Sequence, residues 1–546
     1  MSIAADPRMG AAGSAEGLYT RKASGLVREL GIPAAVGISL ASVAVVNTFI
    51  NFNAGLVDFA KAEMYLPLLA AAFIWFVGMF AYRHLLEAIP RAGGEYVYLS
   101  RIVSPVAGSV AGIGIAVVFT YVLAANAHFV ATFAPFMLSA LGSAFSSTSI
   151  ANAGNHITTN LAIVLISCGI MVVVGLASFF SLRRLAQVIL WLIAIQLLAF
   201  ICLGFLLADH SHADFVAAFG RYTQHPGAYQ ALLSAGSSNG VVYGTALGAM
   251  IAIIPFMVLN YNGVLYSYYV GGELRRPGRT YLYASAISIG VLVVVWGGVW
   301  ALLRHTAGLH FMQAQANLGA GSPDAYAKIT SLSAQAGGLG YGVVLSGDPI
   351  TKVLFGVAVP VAEIAVNLAF VAVTTRVLFA LAFDRLLPID VAKVSERNHA
   401  PVVAICIVVA VGIAFCIVTT YADLTDIVAL ESLFFALILL AGGVAALFLP
   451  LRRPDLVKRA GEEDVARWLG FPKIAWIGAA TTALALFTVI EIVSHSSVYG
   501  KFSGKSIATL VIVLGAGPVI YLIASHIRKQ NNQLDLSMAM RELPPE

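Results

Sequence analysis

The chain has 546 residues, of which 59% are hydrophobic and only 11% are charged. Soluble globular proteins carry roughly 25% charged residues, so this composition excludes an ordinary soluble domain and indicates a chain that folds in lipid. The formal net charge of +5 requires no nucleic-acid partner, because basic residues at the cytoplasmic ends of membrane spans face anionic lipid head groups.

Apolar runs between charged residues predict twelve transmembrane helices. If the odd-numbered helices run outward, 25 of the 32 lysines and arginines lie on the cytoplasmic side, as the positive-inside rule requires. This predicts a multi-pass protein of the cell (plasma or inner) membrane with both termini in the cytoplasm. The predicted spans cover residues 33–60, 65–88, 105–140, 157–180, 184–208, 241–270, 282–304, 351–383, 401–420, 424–450, 471–494 and 506–527.

Two spans contain clusters of asparagine and glycine at comparable depths. The first cluster runs from Asn47 through Thr48, Asn51 and Asn53 to Gly55, and the second is Asn260-Tyr261-Asn262-Gly263. Asparagine and glycine tolerate left-handed backbone and weaken helices, so each cluster is either a break or an amide contact between packed helices. Their matching positions favour breaks in helices 1 and 6 that face each other near the midplane, as in inverted-repeat transporters.

The predicted fold class is therefore all-α integral membrane, with a five-plus-five inverted repeat, broken helices 1 and 6, and two further C-terminal helices. The two repeats cover about 33–208 and 241–450. The complete division is an N-terminal cytoplasmic tail (1–32), a ten-helix core (33–450), a cytoplasmic loop (451–472), helices 11 and 12 (473–527) and a C-terminal cytoplasmic tail (528–546).

Several ionisable side chains lie inside predicted spans, where a charge is costly and often functional. Glu363 and Asn367 lie one turn apart on the eighth span, just after Pro360. The Glu363 carboxyl group either carries a proton, binds a substrate ammonium or forms a structural hydrogen bond, and Asn367 is a further candidate for substrate binding. Glu431 and His128 are further candidates for gating or a proton step. The sequence contains no metal-ligand spacing that we can defend, and the four cysteines lie singly in apolar runs, so we predict no metal, cofactor or disulfide.

The loop after the second span reads Pro90-Arg91-Ala92-Gly93-Gly94-Glu95-Tyr96-Val97-Tyr98, and Ser104-Pro105 opens the third span. This resembles a signature of the amino acid, polyamine and organocation (APC) superfamily of permeases. Two more segments are similar to that family: Gly272-Glu273-Leu274-Arg275-Arg276-Pro277, and Arg376 to Pro388. The likeness covers spans one to ten and implies the leucine-transporter type of inverted-repeat fold. Glu273 is either a solvated carboxylate or part of an inner gate with an arginine.

The sequence departs from the family at the sites that hold solute and ions. The family usually has Gly-x-Gly in the first span to hold the substrate carboxylate, but Val45-Val46-Asn47 stands there. The resemblance therefore points to Val45, Val46 and the nearby asparagines as substrate contacts, with Tyr261 as a lid over a bound amine. Sodium-coupled relatives carry hydroxyls in the eighth span, but here no hydroxyl lies between Val353 and Val373. Thr374 and Thr375 come late in the span and are weak sodium candidates.

These features predict a secondary transporter of amino acids or related amines, driven by the proton motive force, with sodium as the weaker alternative, and working by symport or exchange. Two alternative functions remain open. The chain could be a carrier of another small polar solute, such as an organic acid, nucleobase or inorganic cation, or a non-transporting nutrient sensor. No catalytic motif indicates an enzyme. The expected partners are the solute and membrane lipids, and the chain is expected to be a monomer or homodimer.

The outer loop from Arg304 to Gly347 is rich in Gly, Ala and Ser and is longer than its neighbours. It is either an extracellular cap over the entrance or a passive linker.

Overall fold

The computed structural model describes residues 26–422, 430–460, 467–499, 503–531 and 535–541. In this part of the chain, twelve helices are long and apolar enough to cross a membrane, so the predicted all-α fold with twelve spans is confirmed. Most of the predicted N-terminal tail lies outside the described residues. The spans are Ile32–Asp58, Tyr65–Ala88, Pro105–Ala144, Asn160–Ser178, Leu182–Asp209, Leu247–Glu273, Pro277–Thr306, Pro349–Phe383, Val402–Tyr421, Glu431–Arg452, Lys473–Ser494 and Gly504–Gln530.

Short helices and one small hairpin connect the spans. The strands Arg467–Trp468 and Phe471–Pro472 pair antiparallel in the predicted cytoplasmic loop. The short helices are Glu95–Ile102, Thr148–Ala153, Gly154–Thr158, His212–Tyr222, Ala228–Ser238, Leu309–Gly321, Pro323–Ala327, Ala334–Ala336, Gly337–Leu345, Ile389–Ala392, Pro454–Ala460 and Leu536–Arg541.

Two predicted span boundaries need correction. The sixth span begins at Leu247 rather than residue 241, because Gly240 and Gly244 have φ values of +79° and +105°, which no helix can accommodate. The seventh span begins at Pro277 rather than residue 282, because proline at the first helical position lacks only an amide that would be unpaired anyway.

The first span is interrupted between Ala41 and Thr48. Its first helix covers Ile32–Ala41 and is followed by the C-cap residue Ser42. Within the interruption, Ala44 has a left-handed φ of +51°. A single 3-10 turn, Val45–Asn47, leads into the second helix, Thr48–Asp58. We predicted the interruption within the asparagine cluster from Asn47 onward, and that position is wrong because Asn51 and Asn53 are helical. An asparagine weakens a helix by only about 0.7 kcal/mol relative to alanine, which packing readily overcomes.

The sixth span changes its winding where the second cluster lies. Helix Leu247–Ala252 is followed by helix Ile254–Asn260, and from Asn262 to Glu273 the chain winds as a 3-10 helix. This change coincides with the predicted position. The inverted repeat itself remains a prediction.

The two irregular segments touch at Gly263. A Cβ atom placed on Gly263 would lie 2.3 Å from the carbonyl carbon of Ser42 and 2.4 Å from its oxygen. No side chain tolerates such distances, so only glycine allows the sixth span to lie against the interruption in the first. This is the close backbone approach for which glycine is used in proteins.

Tryptophans bind carbonyl groups at both irregular segments. The indole nitrogen of Trp296, on the seventh span, donates to the Val45 carbonyl at 3.0 Å. The indole of Trp75, on the second span, donates to the Val258 carbonyl at 2.9 Å. Unpaired backbone groups are costly in a bilayer, so the Trp296 bond stabilises the interruption of the first span. The Trp75 bond pairs a carbonyl in the last turn of the helix Ile254–Asn260, just before the second irregular segment.

The long outer loop folds into packed helices rather than a passive linker. The aromatic rings of Phe311 and Tyr229 stack with centroids 4.8 Å apart, and Phe311 also contacts Tyr341. Asn317 donates to the Leu56 carbonyl at 3.1 Å, and Asn53 donates to the Ala334 carbonyl at 2.9 Å. The loop is therefore anchored to the second helix of the first span, Thr48–Asp58.

Gly263→Ala should destabilise the folded protein, because the new methyl group would overlap the Ser42 backbone, and overpacking costs roughly 1–3 kcal/mol or more. The matched control is Gly248→Ala in the same span, where no described residue lies within 4 Å of the added Cβ. Thermal unfolding of both variants in detergent measures the difference. Equal melting temperatures for the two variants would show that the close contact is absent.

Candidate functional site

A cavity of about 760 Å³ lies between the two interrupted spans and the third, eighth and tenth spans. Ligand pockets commonly measure roughly 300–1,000 Å³, so a small solute fits. Its central polar lining combines amides, two carboxylates, an imidazole and a phenol: Asn47, Asn51, Tyr121, Asn126, His128, Asn260, Asn262, Glu363 and Glu431.

Glu363 is the buried carboxylate at the middle of this cavity wall, with no exposed surface. The side-chain amide of Asn47 donates a hydrogen bond to its Oε1 atom, so the eighth span is tied to the interruption of the first. Among the described residues, Oε2 of Glu363 and Oδ1 of Asn47 have no hydrogen-bond partner. A buried polar group without a partner is costly, and a solute or a proton can satisfy the carboxylate here.

Asparagines join the first and sixth spans beside this carboxylate. Asn51 donates to Oδ1 of Asn260 at 2.6 Å, and Asn260 donates to the Phe256 carbonyl at 2.7 Å. Asn51 and Asn260 thus form an amide contact between packed helices, which was the alternative prediction for these clusters. Both residues also line the cavity. Asn262 lines it with an unpartnered Oδ1 atom among the described residues, which leaves an acceptor for a solute donor.

Two other predicted gating or proton-step residues, His128 and Glu431, lie elsewhere in the cavity lining. His128 contacts the hydroxyl of Thr420 through Nδ1 at 3.2 Å, and Glu431 is the first residue of the tenth helical span. Both line the cavity, so the predicted gating or proton-step residues face the same space as Glu363.

Several predicted substrate contacts lie outside the cavity lining. Val45 and Val46 have no exposed surface, and the Val45 carbonyl already accepts from Trp296. Thr48 is buried, and its hydroxyl has no partner in the described part of the chain. Asn53 binds the loop between the seventh and eighth spans instead. Gly263 packs against Ser42. Val45 and Val46 are therefore packed behind the lining, whereas Ser42, Val43 and Ala44 of the same interruption line the cavity.

Tyr261 and Asn367 also lie behind the cavity wall. The ring of Tyr261 packs edge-on against Trp296 with centroids 4.8 Å apart, so it forms no lid over the cavity. Asn367 lies one turn beyond Glu363 with no exposed surface, and neither of its amide atoms has a partner among the described residues. Asn367 is therefore packed behind the cavity wall and does not line the cavity.

The cavity opens toward one membrane face. Its outer lining comes from the end of the first span (Asp58), the end of the ninth (Thr419), the start of the tenth (Ser432) and the segment after the eleventh (Tyr499). Because successive spans alternate in direction, all four positions lie on the same face, which we call the open face.

Buried ion pairs close the other face, which we call the closed face. The guanidinium of Arg376 binds both carboxylate oxygens of Glu273, at 2.8 and 3.1 Å. Arg101 pairs with Asp384 at 2.6 Å, and the Tyr96 hydroxyl donates to the same carboxylate at 2.8 Å. Glu273 therefore pairs with an arginine, as one prediction held, and the bidentate pair joins the sixth span to the eighth.

Glu95 is a functional candidate that the sequence analysis quoted but did not select. It follows Gly94 in the short helix Glu95–Ile102 and is completely buried. Its Oε1 atom accepts from the hydroxyls of Tyr82, at 2.6 Å, and Tyr268. Burial raises the pKa of Glu95, and hydrogen bonds from the tyrosines oppose this rise.

Other contributors were also missed. Asn126 and Tyr121 line the cavity from the third span. The sequence could have indicated them, because they are polar residues in the same apolar run as His128. Arg376 and Asp384 were seen only as family motif residues. The sodium candidates Thr374 and Thr375 donate their hydroxyls to carbonyls of their own helix, at 2.7 Å each to Phe370 and Val371, away from the cavity lining.

Twelve apolar helices around a central polar cavity, closed at one face by buried ion pairs, define a multi-pass membrane transporter. The family model described as amino acid permease matches residues 30–517 of this chain. The chain therefore belongs to the amino acid permease family of the APC superfamily and is a transporter of amino acids or amines. No curated protein matches the chain in sequence.

Arg376→Ala should destabilise the protein strongly, because it leaves Glu273 charged, buried and unpaired, and breaking a buried pair costs about 3–5 kcal/mol. Lys393→Ala, at the exposed pair with Asp390, is the control and should change the melting temperature little. If both variants unfold at the same temperature in detergent, the closed-face pair contributes no stability.

Stability should also depend on pH through Glu95. Since its folded-state pKa lies above the ordinary value of 4.5, the folded protein binds this proton more tightly than the unfolded chain, and stability falls as pH rises through the folded value. Glu95→Gln keeps an acceptor for the tyrosines but cannot ionise. The melting temperature of Glu95→Gln minus that of the wild type should therefore grow from acid to neutral pH.

The control for that pH series is Glu396→Gln, since Glu396 lies exposed in a loop. Its difference from the wild type should stay constant across the series. A constant difference for Glu95→Gln as well would contradict a raised pKa at this carboxyl group.

Proposed function

We propose that this permease is a secondary active transporter of amino acids or related amines, coupled to protons and working by symport or exchange through alternating access. The observation that supports this most directly is the buried Glu363 carboxylate in the cavity wall, with one oxygen bound to Asn47 and the other without a described partner. The proposal places both termini in the cytoplasm, so the open face is external.

The carboxylate suits recognition of an ammonium group. An ionised carboxylate in the membrane interior is expensive unless it is paired, and a cationic solute group supplies that pair. The surrounding amides of Asn47, Asn260 and Asn262 offer both donors and acceptors, so they can bind the remaining polar atoms of an amino acid. The aromatic rings of Phe370 and Tyr121 provide apolar contact for a side chain.

A proton serves the same carboxylate when no solute is bound. Glu363 and Glu431 line one cavity, so a proton that enters from the open face has two carboxyl groups available before it reaches the closed face. Protonation removes the cost of the buried charge, which favours return of the empty carrier. This supports proton coupling over sodium coupling, for which Thr374 and Thr375 lie away from the cavity.

Alternating access is proposed because the cavity is open at one face and closed by buried ion pairs at the other. Release to the closed face requires separation of Arg376 from Glu273 and of Arg101 from Asp384, which are buried pairs with defined geometry. Such pairs favour two discrete states rather than gradual opening. The irregular segments of the first and sixth spans lie between the faces and are the natural hinges for the change.

A carrier of another small polar solute is the second candidate. It is favoured by one observation: Val45 and Asn47 stand where the family has the two glycines of Gly-x-Gly, and Val45 has no exposed surface. A solute without an α-carboxylate would not need that cradle. The panel of solutes in the transport assay therefore includes organic acids, nucleobases and amines without a carboxylate.

Glu363→Gln should abolish concentrative, pH-gradient-driven uptake into proteoliposomes and should weaken exchange of internal for external solute without abolishing it, because glutamine keeps a neutral acceptor for Asn47 and the solute but cannot carry a proton. Radiolabelled amino acids and amines, with and without a pH gradient, measure both modes. Glu396→Gln is the exposed control and should behave as wild type. Unchanged concentrative uptake by Glu363→Gln would refute the coupling role, and absence of transport for every solute would favour the sensor.

A further inference from the structure

A groove of about 430 Å³ lies on the closed face, at the start of the seventh span and away from the central cavity. It is lined by Ile32 from the first span and by five residues of the seventh-span region, namely Arg276, Arg279, Thr280, Tyr283 and Ile287. The proposed transport function makes no use of this groove.

The backbone holds the two sides of the groove in register. Leu30 pairs with Leu274 in a parallel bridge, in which the Leu30 amide donates to the Glu273 carbonyl and the Arg275 amide donates to the Leu30 carbonyl, each at 3.0 Å. This bridge fixes Ile32 beside the first turn of the helix that begins at Pro277. The groove is therefore a built feature rather than a chance gap between loops.

The groove carries unneutralised positive charge. Arg276 and Arg279 are exposed, and neither has an ion pair with a carboxylate among the described residues. The guanidinium of Arg279 lies over the ring of Tyr283, 5.6 Å from its centroid. Glu87, which lies beside Gly278, is already paired with Arg83 at 2.9 Å. Two arginines at one groove are suited to a phosphate group.

Below the arginines the same helix face becomes apolar. Tyr283 is 46% exposed, Ile287 is 44% exposed and Val294 is 72% exposed, which inside a membrane span places them against lipid. Arg279, Tyr283 and Ile287 follow one another at four-residue intervals on one face. At about 1.5 Å per residue, Arg279 and Ile287 are roughly 12 Å apart along the axis, which is within one leaflet of a hydrocarbon core about 30 Å thick.

We propose that this groove binds one anionic phospholipid of the leaflet at the closed face. Arg276 and Arg279 bind the phosphate, Tyr283 lies at the level of the ester groups, and an acyl chain runs along Ile287 toward Val294. The order of charge, aromatic ring and apolar surface along the groove matches the order of groups in a phospholipid. A free phosphate ion would contact only the arginines and would leave the apolar part of the groove unused. The lipid would also hold the segment Leu30–Ile32 against the seventh span, next to the Glu273 gate.

Native mass spectrometry of the full-length protein, titrated with phosphatidylglycerol or with phosphatidylcholine of the same acyl chains, tests the proposal. Wild-type protein should retain phosphatidylglycerol in preference to phosphatidylcholine. Arg276→Gln with Arg279→Gln should weaken phosphatidylglycerol binding by on the order of tenfold and leave phosphatidylcholine binding unchanged. Each single variant should give an intermediate loss, which keeps the test informative if the double variant does not fold.

The matched control is Arg183→Gln with Arg184→Gln, a second exposed arginine pair that begins a span on the same face, and it should bind lipid as the wild type does. Equal phosphatidylglycerol binding by all three proteins would overturn the proposal. A competition arm with glycerol phosphate separates the sources of the phosphate group. If it displaces the lipid at equal concentration, the groove is a site for soluble anions and the lipid assignment is wrong.

Discussion

Main-chain hydrogen bonding within the apolar layer is the constraint on which the rest of this structure depends. Helices satisfy their own amides and carbonyls, so any interruption must find partners elsewhere. Here the first span leaves helical geometry between Ala41 and Thr48, Trp296 binds the Val45 carbonyl, and Gly263 lets the sixth span lie directly on Ser42. The polar cavity exists beside this contact because two irregular segments are held together there.

The charged residues follow from the same arrangement. At the middle of the cavity wall Glu363 is tied to the first span through Asn47, so a charge change at this carboxylate acts directly on the interruption. At the closed face Glu273, the last residue of the sixth span's 3-10 helix, is bound by Arg376 of the eighth. The sixth and eighth spans therefore connect the cavity to the ion pair at the closed face.

The sequence predicts the spans well because hydropathy depends on local composition alone. It also selected Asn47, Asn51, Asn260, Asn262, His128, Glu363 and Glu431, all of which line the cavity. It failed where the outcome depended on distant packing: the first break lies at Ser42–Asn47 because a tryptophan on the seventh span and a serine–glycine contact stabilise it there. Nothing local distinguishes Asn47, which lines the cavity, from Asn53, which binds the outer loop, or shows that Tyr261 turns toward Trp296. Glu95 was passed over because a loop glutamate gives no sign of burial before the helices are assembled.

We propose that a solute docks between the interrupted first and sixth spans, against Glu363. A cryo-electron microscopy structure of the full-length protein in nanodiscs, with a saturating transported amino acid or amine, tests this docking position. We expect solute density within hydrogen-bond distance of Asn47, Asn260 and Glu363, with the first span non-helical at Ala44. Density elsewhere, or a first span that winds without interruption from Ile32 to Asp58, would contradict it.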